Sequence, residues 1–159
     1  MGLNVYTPAH YVVARDNGQG FVLAPFPASF PIMSAPWLKL GPEAMYWAPR
    51  HVAKLWGVKS IYITENGTSA GDEPAADGQI YDLDRIMYLR NYLTHLQRAT
   101  SEGVPVHGYF LWSLMDNFEW SDGFATRFGL YHVDFKTQRR TPKLSASFYR
   151  EVIRKNAVV

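Results

Sequence analysis

The chain has 159 residues, 47% of them hydrophobic, with 16 basic against 14 acidic side chains and no cysteine. That is enough for one domain with a real core, and it excludes disulfides and thiolate metal sites. A formal net charge of +2 without any Lys/Arg run leaves no electrostatic footprint for nucleic acid.

No apolar run approaches the ~18 residues of a membrane span. The start, M-G-L-N-V-Y-T-P, lacks a basic leader and an apolar h-region, so a cytoplasmic protein with no membrane partner is predicted. Aromatic residues make up 15% of the chain, many at predicted strand ends and in loops, where flat faces suit a flat ligand.

Leu3 to Tyr6 reads as a short strand that begins almost at the first residue, so the chain looks cut at its start. Tyr11–Ala14 and Gly20–Leu23 flank Arg15-Asp16-Asn17-Gly18, the pattern of a hairpin with an Asn-Gly turn. Prolines at 25, 27, 31 and 36 forbid a helix and predict a long semi-rigid loop that delivers Trp37.

Pro42 suits a first helical position, and Met45, Ala48, Val52 and Leu55 then fall on one helix face that stops at Gly57. Pro49 is expected to kink this helix. Ser60–Thr64 is β-branched and aromatic, a buried strand ending at Glu65, with Asn66-Gly67 expected to turn through φ > 0.

A Gly/Asp-rich loop follows, in which Asp72, Glu73 and Asp77, with Asp82 and Asp84 at the next helix start, read as solvated. That helix places Ile86, Leu89, Leu93 and Leu96 on one face and ends by Gly103. Val104–Met115 is an apolar run typical of a buried parallel strand. Its end bursts into Asp116-Asn117-Phe118-Glu119-Trp120.

Phe128–Arg140 reads as a hairpin-like excursion. Thr141 is expected to cap a last helix with Pro142 at N1 and with Leu144, Phe148 and Val152 inward. His51, His95, His107 and His132 lack metal-like spacing, and no metal or cofactor is implied.

The succession of strand, helix, strand, helix, strand, helix predicts parallel strands with helical crossovers, an α/β fold with both sheet edges open. Glu65 then stands at the C-terminal tip of a strand, where such folds place catalytic groups.

These motifs, I-T-E-N-G at Ile63–Gly67 and W-S-L-M-D-N-F-E-W at Trp112–Trp120, resemble glycoside hydrolase family 1, the retaining β-glucosidases and β-galactosidases. G-L-N-V-Y-T at Gly2–Thr7, R-F-G-L at Arg127–Leu130 and R-T-P-K at Arg140–Lys143 match in the same order. The resemblance implies the C-terminal part, strands six to eight with their helices, of a TIM (β/α)8 barrel. Residues 1–159 would then be one partial barrel domain, incomplete on its own.

By position, the resemblance implies Glu65 as nucleophile and Tyr6 as the tyrosine orienting it. Asn4 matches an active-site asparagine, and Trp112 a platform under the sugar. Glu119 would accept bonds from two sugar hydroxyls, and Trp120 would donate its indole N–H to a neighbouring one. Phe128 would wall the pocket, and Trp37 would be a platform for the aglycone.

The reaction implied is hydrolysis of terminal β-D-glucosyl or galactosyl residues through a covalent glycosyl-enzyme intermediate. Such chemistry needs two carboxyl groups about 5–5.5 Å apart, one attacking and one protonating the leaving oxygen. The family's acid/base glutamate lies in an N-E-P motif, which this chain does not contain.

The expected partners are therefore a β-glycoside or oligosaccharide substrate and an N-terminal barrel piece or a second copy, the isolated chain being inactive or very weak. The alternative is a catalytically inactive glycan-binding or structural fragment.

Overall fold

The computed structural model describes residues Met1–Val159. Three strands, β1 (Gly2–Asn4), β4 (Ile61–Asn66) and β5 (Val106–Leu111), form a parallel sheet in the order β1-β4-β5. Between them lie a hairpin of β2 (Tyr11–Ala14) and β3 (Phe21–Ala24), then α1 (Ala44–Trp56) and α2 (Leu83–Ser101). After β5 come the antiparallel pair β6 (Tyr131–Val133) and β7 (Arg140–Pro142), and last α3 (Leu144–Lys155). No helix is long and apolar enough to cross a membrane.

The core lies between the sheet and its helices. Ile61 and Ile63 point from β4 onto Met45 of α1 and onto Tyr88, Leu89, Tyr92, Leu93 and Leu96 of α2. Their neighbours Tyr62 and Thr64 face the other way and are exposed, as is Phe110 on β5. The sheet thus has one covered and one open face, the period-2 consequence of helices packing on one side only.

Several local expectations are corrected. In α1, Leu55 is 71% exposed. Tyr46 and Pro49 are buried instead. The hairpin closes through a loop whose left-handed residue is Gly20 (φ 76°), with Asn17 accepting at its carbonyl from the Gly20 N–H, rather than through an Asn17-Gly18 turn.

Thr141 and Pro142 belong to β7. The last helix starts after Lys143, whose side chain is buried, and Leu144 is exposed. Pro142 lacks a backbone N–H yet can close a two-strand ladder at its end, so the residue pattern of a helix start was satisfied by a strand.

Candidate active site

β4 runs two residues past its apolar run, and it carries Glu65 and Asn66 inside the strand. Strict alternation would turn Glu65 to the helix side with Ile61 and Ile63. Register shifts between Leu3 and Asn4 on β1, and between Ile63 and Asn66 on β4, break that alternation. Glu65 therefore faces the open side, and Asn66 is fully buried on the helix side. A bulge re-aiming one side chain at a strand end is a recurrent device beside functional sites.

Asn66 is locked there, donating to the Val5 carbonyl (2.7 Å) and to Tyr88 Oη (2.9 Å), and accepting from Tyr109 Oη (2.7 Å). Gly67 does not turn through positive φ as expected. It is required because a Cβ there would lie 1.8 Å from the Trp112 carbonyl oxygen. The Trp112 N–H in turn donates to the Asn66 carbonyl at 2.8 Å. The backbones that carry Glu65 and Trp112 are thus in direct contact.

Tyr6, Trp37, Glu65, Trp112, Glu119, Trp120 and Phe128 line one cavity of about 180 Å3. Tyr6 Oη donates to Glu65 Oε2 at 2.8 Å. Burial, followed by that bond and the nearby Glu65 and Glu119 charges, pushes the Tyr6 phenol far above its ordinary value, so it remains a donor. The Tyr6 carbonyl is held from below by Tyr88 and Tyr92, each donating at 3.0 Å.

Trp37 stacks on Phe128 (6.2 Å, 27°), and Tyr6 meets both edge-on. The proline-rich loop reaches this position through Ser69, whose hydroxyl accepts from the Ala35 N–H at 2.9 Å, and through Thr7, which bonds Lys39 at 2.8 Å. Trp120 stands at the rim, 79% exposed with φ of 42°. Asn4 pairs with Glu65 in register but lies outside the lining, its Oδ1 accepting from Thr64.

A larger groove of about 450 Å3 runs between α2, β5 and α3. It contains no carboxylate, so it offers no acid or nucleophile for hydrolysis.

The residues that sequence reasoning missed lie just behind the cavity. Asp72 and Asp82, read as solvated, are buried with Arg85. Asp116, Arg127 and Lys143 continue the same ion network. Three of these were visible inside quoted motifs, as the D of D-N-F-E-W, the R of R-F-G-L and the K of R-T-P-K, but no local signal showed that they meet.

The family model for glycosyl hydrolase family 1 matches residues 5–158. The chain belongs to glycosyl hydrolase family 1.

It is 38% identical over 162 aligned residues to 1,4-beta-D-glucan glucohydrolase of Thermotoga neapolitana, with 99% of this chain and 35% of that protein covered. With Beta-glucosidase A of Thermotoga maritima the identity is 40%, over the same shares. The solved family 1 β-glucosidase from Thermotoga maritima superposes with a TM-score of 0.87 at 36% identity, covering 99% of this chain and 35% of that one. The same enzyme in complex with castanospermine gives a TM-score of 0.87 at 37% identity.

This family 1 chain thus spans about a third of the length of the relatives it matches, and what it forms is part of a TIM barrel.

Replacing Tyr6 by Phe removes one hydrogen bond to a carboxylate, worth ~1.5–3 kcal/mol. Any reaction at Glu65 is therefore expected to slow by about 10–100-fold, while the aromatic contacts with Trp37 and Phe128 persist. Comparing the rates at which a 2-deoxy-2-fluoroglucosyl fluoride modifies the two proteins checks this.

Proposed function

We propose that the chain carries the nucleophile and part of the sugar-binding wall of a retaining β-glycosidase acting on terminal β-D-glucosyl or galactosyl residues. The single observation that supports this most is the hydrogen bond from Tyr6 to Glu65 at the floor of a cavity walled by Trp112, Glu119 and Phe128. In this reading β1, β4 and β5 are the sixth, seventh and eighth barrel strands.

A Glu65 oxygen attacks the anomeric carbon, the bond from that carbon to the leaving oxygen breaks, and water later displaces the glutamyl ester. Tyr6 holds the attacking carboxylate in line through its hydrogen bond to Oε2. Trp112 offers an apolar face to the sugar, Glu119 accepts from its hydroxyls, and Trp120 donates its indole N–H. Phe128 closes one wall, Trp37 faces the aglycone, and Asn4 contributes from the strand end beside Glu65.

A proton donor for the leaving oxygen comes from outside these residues. Glu119 is the only other acid lining the cavity, and its role here is binding. At about 180 Å3 the cavity is smaller than the ~300–1,000 Å3 usual for ligand sites, which fits walls supplied by the first five strands or by a second copy.

The reading makes a direct test available. A 2-deoxy-2-fluoroglucosyl fluoride needs no general acid, because fluoride departs unprotonated. Incubation with the chain is expected to add one fluoroglucosyl group, localised by peptide mass spectrometry to Glu65. No adduct, or one elsewhere, would reject Glu65 as nucleophile. Tryptophan fluorescence that responds to glucose without any adduct would leave glycan binding as the function. With a complementing N-terminal barrel part, hydrolysis of an aryl β-glucoside is the expected gain.

The pH dependence of sugar binding follows from Glu119. Burial, helped by the charges of Asp122 and Glu65, raises its carboxyl above the ordinary glutamate value against the opposing Trp112 contact. The ionised form is the acceptor, so affinity is present above that raised value and falls as pH drops through it. Titrations of glucose across pH 4–7, read by tryptophan fluorescence, are expected to weaken at a higher pH than an exposed glutamate gives. The variant Glu119→Gln is expected to flatten the profile.

A further inference from the structure

Two loops must be held together for this cavity to exist. One leaves β4 after Asn66, next to Glu65, and runs to Asp72. The other leaves β5 and carries Trp112, Asp116, Glu119 and Phe128.

Their backbones meet without spare room. A Cβ on Gly67 would be 1.8 Å from the Trp112 oxygen, and one on Gly129 would be 2.1 Å from the Asp116 nitrogen. The backbones therefore pack too closely for any side chain between them, and the 2.8 Å bond from the Trp112 N–H to the Asn66 carbonyl requires the loops to keep that relative position.

Lys143, at the junction of β7 and α3, stands between them. Its Nζ is 2.6 Å from Asp72 Oδ2 and 2.7 Å from Asp116 Oδ1, and all three side chains are completely buried. Each carboxylate is anchored in turn to its own loop's surroundings. Asp72 takes both Arg85 nitrogens, at 2.9 and 2.7 Å. Asp116 accepts from Arg127 Nη1 at 2.6 Å and from the backbone N–H groups of Gly129 at 3.0 Å and Val133 at 3.3 Å.

The bonds from Arg127 and Gly129 flank Phe128, a wall of the cavity. The ammonium is therefore the one group in this network that touches a carboxylate from each loop. A compact cation on a flexible stem suits that bridging better than a planar guanidinium.

We propose that Lys143 is a positioning residue, whose ammonium clamps the loop carrying Glu119 and Phe128 against the loop that follows the nucleophile. It rests on the reading of Glu65 and this cavity given above. Lys143 never meets the sugar. It acts through Asp116, which sets the Arg127–Gly129 segment, and through Asp72, which ends the Glu65 loop. In this role it is a specificity and rate determinant lying outside the cavity lining.

Hydrogen exchange on the wild-type chain and on Lys143→Met tests it, followed by the fluoroglucosyl adduct rate at a temperature where both are folded. Amides of residues 113–133, including Gly129 and Val133, are expected to exchange about tenfold faster in the variant while α1 is unchanged. Adduct formation at Glu65 is expected to slow by about tenfold or more.

Exchange that rises equally in α1, or not at all, overturns the clamp. Loop exchange that rises with the adduct rate unchanged also overturns it, because Lys143 would then serve the fold alone. A wild-type chain that takes no adduct rejects the reading of Glu65 instead, and the exchange comparison then decides the clamp by itself. Should Lys143→Met not fold, Asp116→Asn keeps the shape, removes the charge facing Lys143 and carries the same two measurements.

Discussion

Glu65→Gln is expected to reduce adduct formation from the fluoroglucosyl fluoride by about 10^4-fold or more. The amide has the shape of the carboxylate but neither its charge nor its nucleophilicity, so only the attacking step is lost. The fold is expected to remain. Glu65 makes one side-chain hydrogen bond, from Tyr6, and a glutamine oxygen can accept it as well. A thermal midpoint within a few degrees of wild type, together with no modified peptide, is the predicted pair of results. An adduct forming at the wild-type rate would show that another group attacks.

The second large effect is on stability. Arg85 is 1% exposed and donates to Asp72 twice, to Asp82, to the Thr68 carbonyl at 3.3 Å and to the Arg127 carbonyl at 2.9 Å. Arg85→Met strips this hub while filling much of its volume, and leaves Asp82 and half of Asp72 without a cation.

Breaking a buried pair from one side costs about 3–5 kcal/mol, a large part of the ~5–15 kcal/mol that holds a domain together. Urea unfolding followed by tryptophan fluorescence is expected to show that loss in the midpoint. A change under about 1 kcal/mol would mean that water or rearrangement replaces the guanidinium.

The same network sets an acid limit. Burial alone would raise the Asp72 carboxyl, but the Arg85 and Lys143 charges and hydrogen bonds hold it below the usual aspartate value. A depressed folded-state value means that this stabilisation is fully present above the unfolded-chain value of ~3.9. It is lost as pH falls through the folded one. The gap between wild type and Arg85→Met is therefore expected to narrow in acid.

The strand tips could be read from residue order, and the other site residues from the motif resemblance. An apolar strand ending in a single carboxylate, and a second ending in a cluster of aromatic and acidic groups, placed Glu65, Trp112, Glu119 and Trp120 at neighbouring tips, and they share one cavity with Tyr6, Trp37 and Phe128. The parallel pairing of the three strands followed from alternating strand and helix patterns, and the structure orders them β1-β4-β5.

What stayed hidden has a common cause. Asp72 and Asp82 sit in a polar, glycine-rich stretch that locally resembles a solvated loop, and their burial depends on cations 13 and 3 residues away at Arg85 and 71 residues away at Lys143. The Asp82–Arg85 pair at i,i+3 reads locally as an ordinary exposed helix-start pair, and no window of periodicity contains both Asp72 and Lys143. The bulge that turns Glu65 to the open face is similarly a property of two strands, not of I-T-E-N-G. Asn4 shows the opposite case, a motif match whose side chain bonds Thr64 rather than lining the cavity.

The open face of the sheet has a practical corollary. Tyr62 and Phe110 stand uncovered between two strands, β1 and β5, whose outer backbone groups have no ladder to join. Such a surface favours strand addition from any neighbour. Concentrating the chain is therefore expected to promote self-association through these edges, and covering them is expected to raise its solubility.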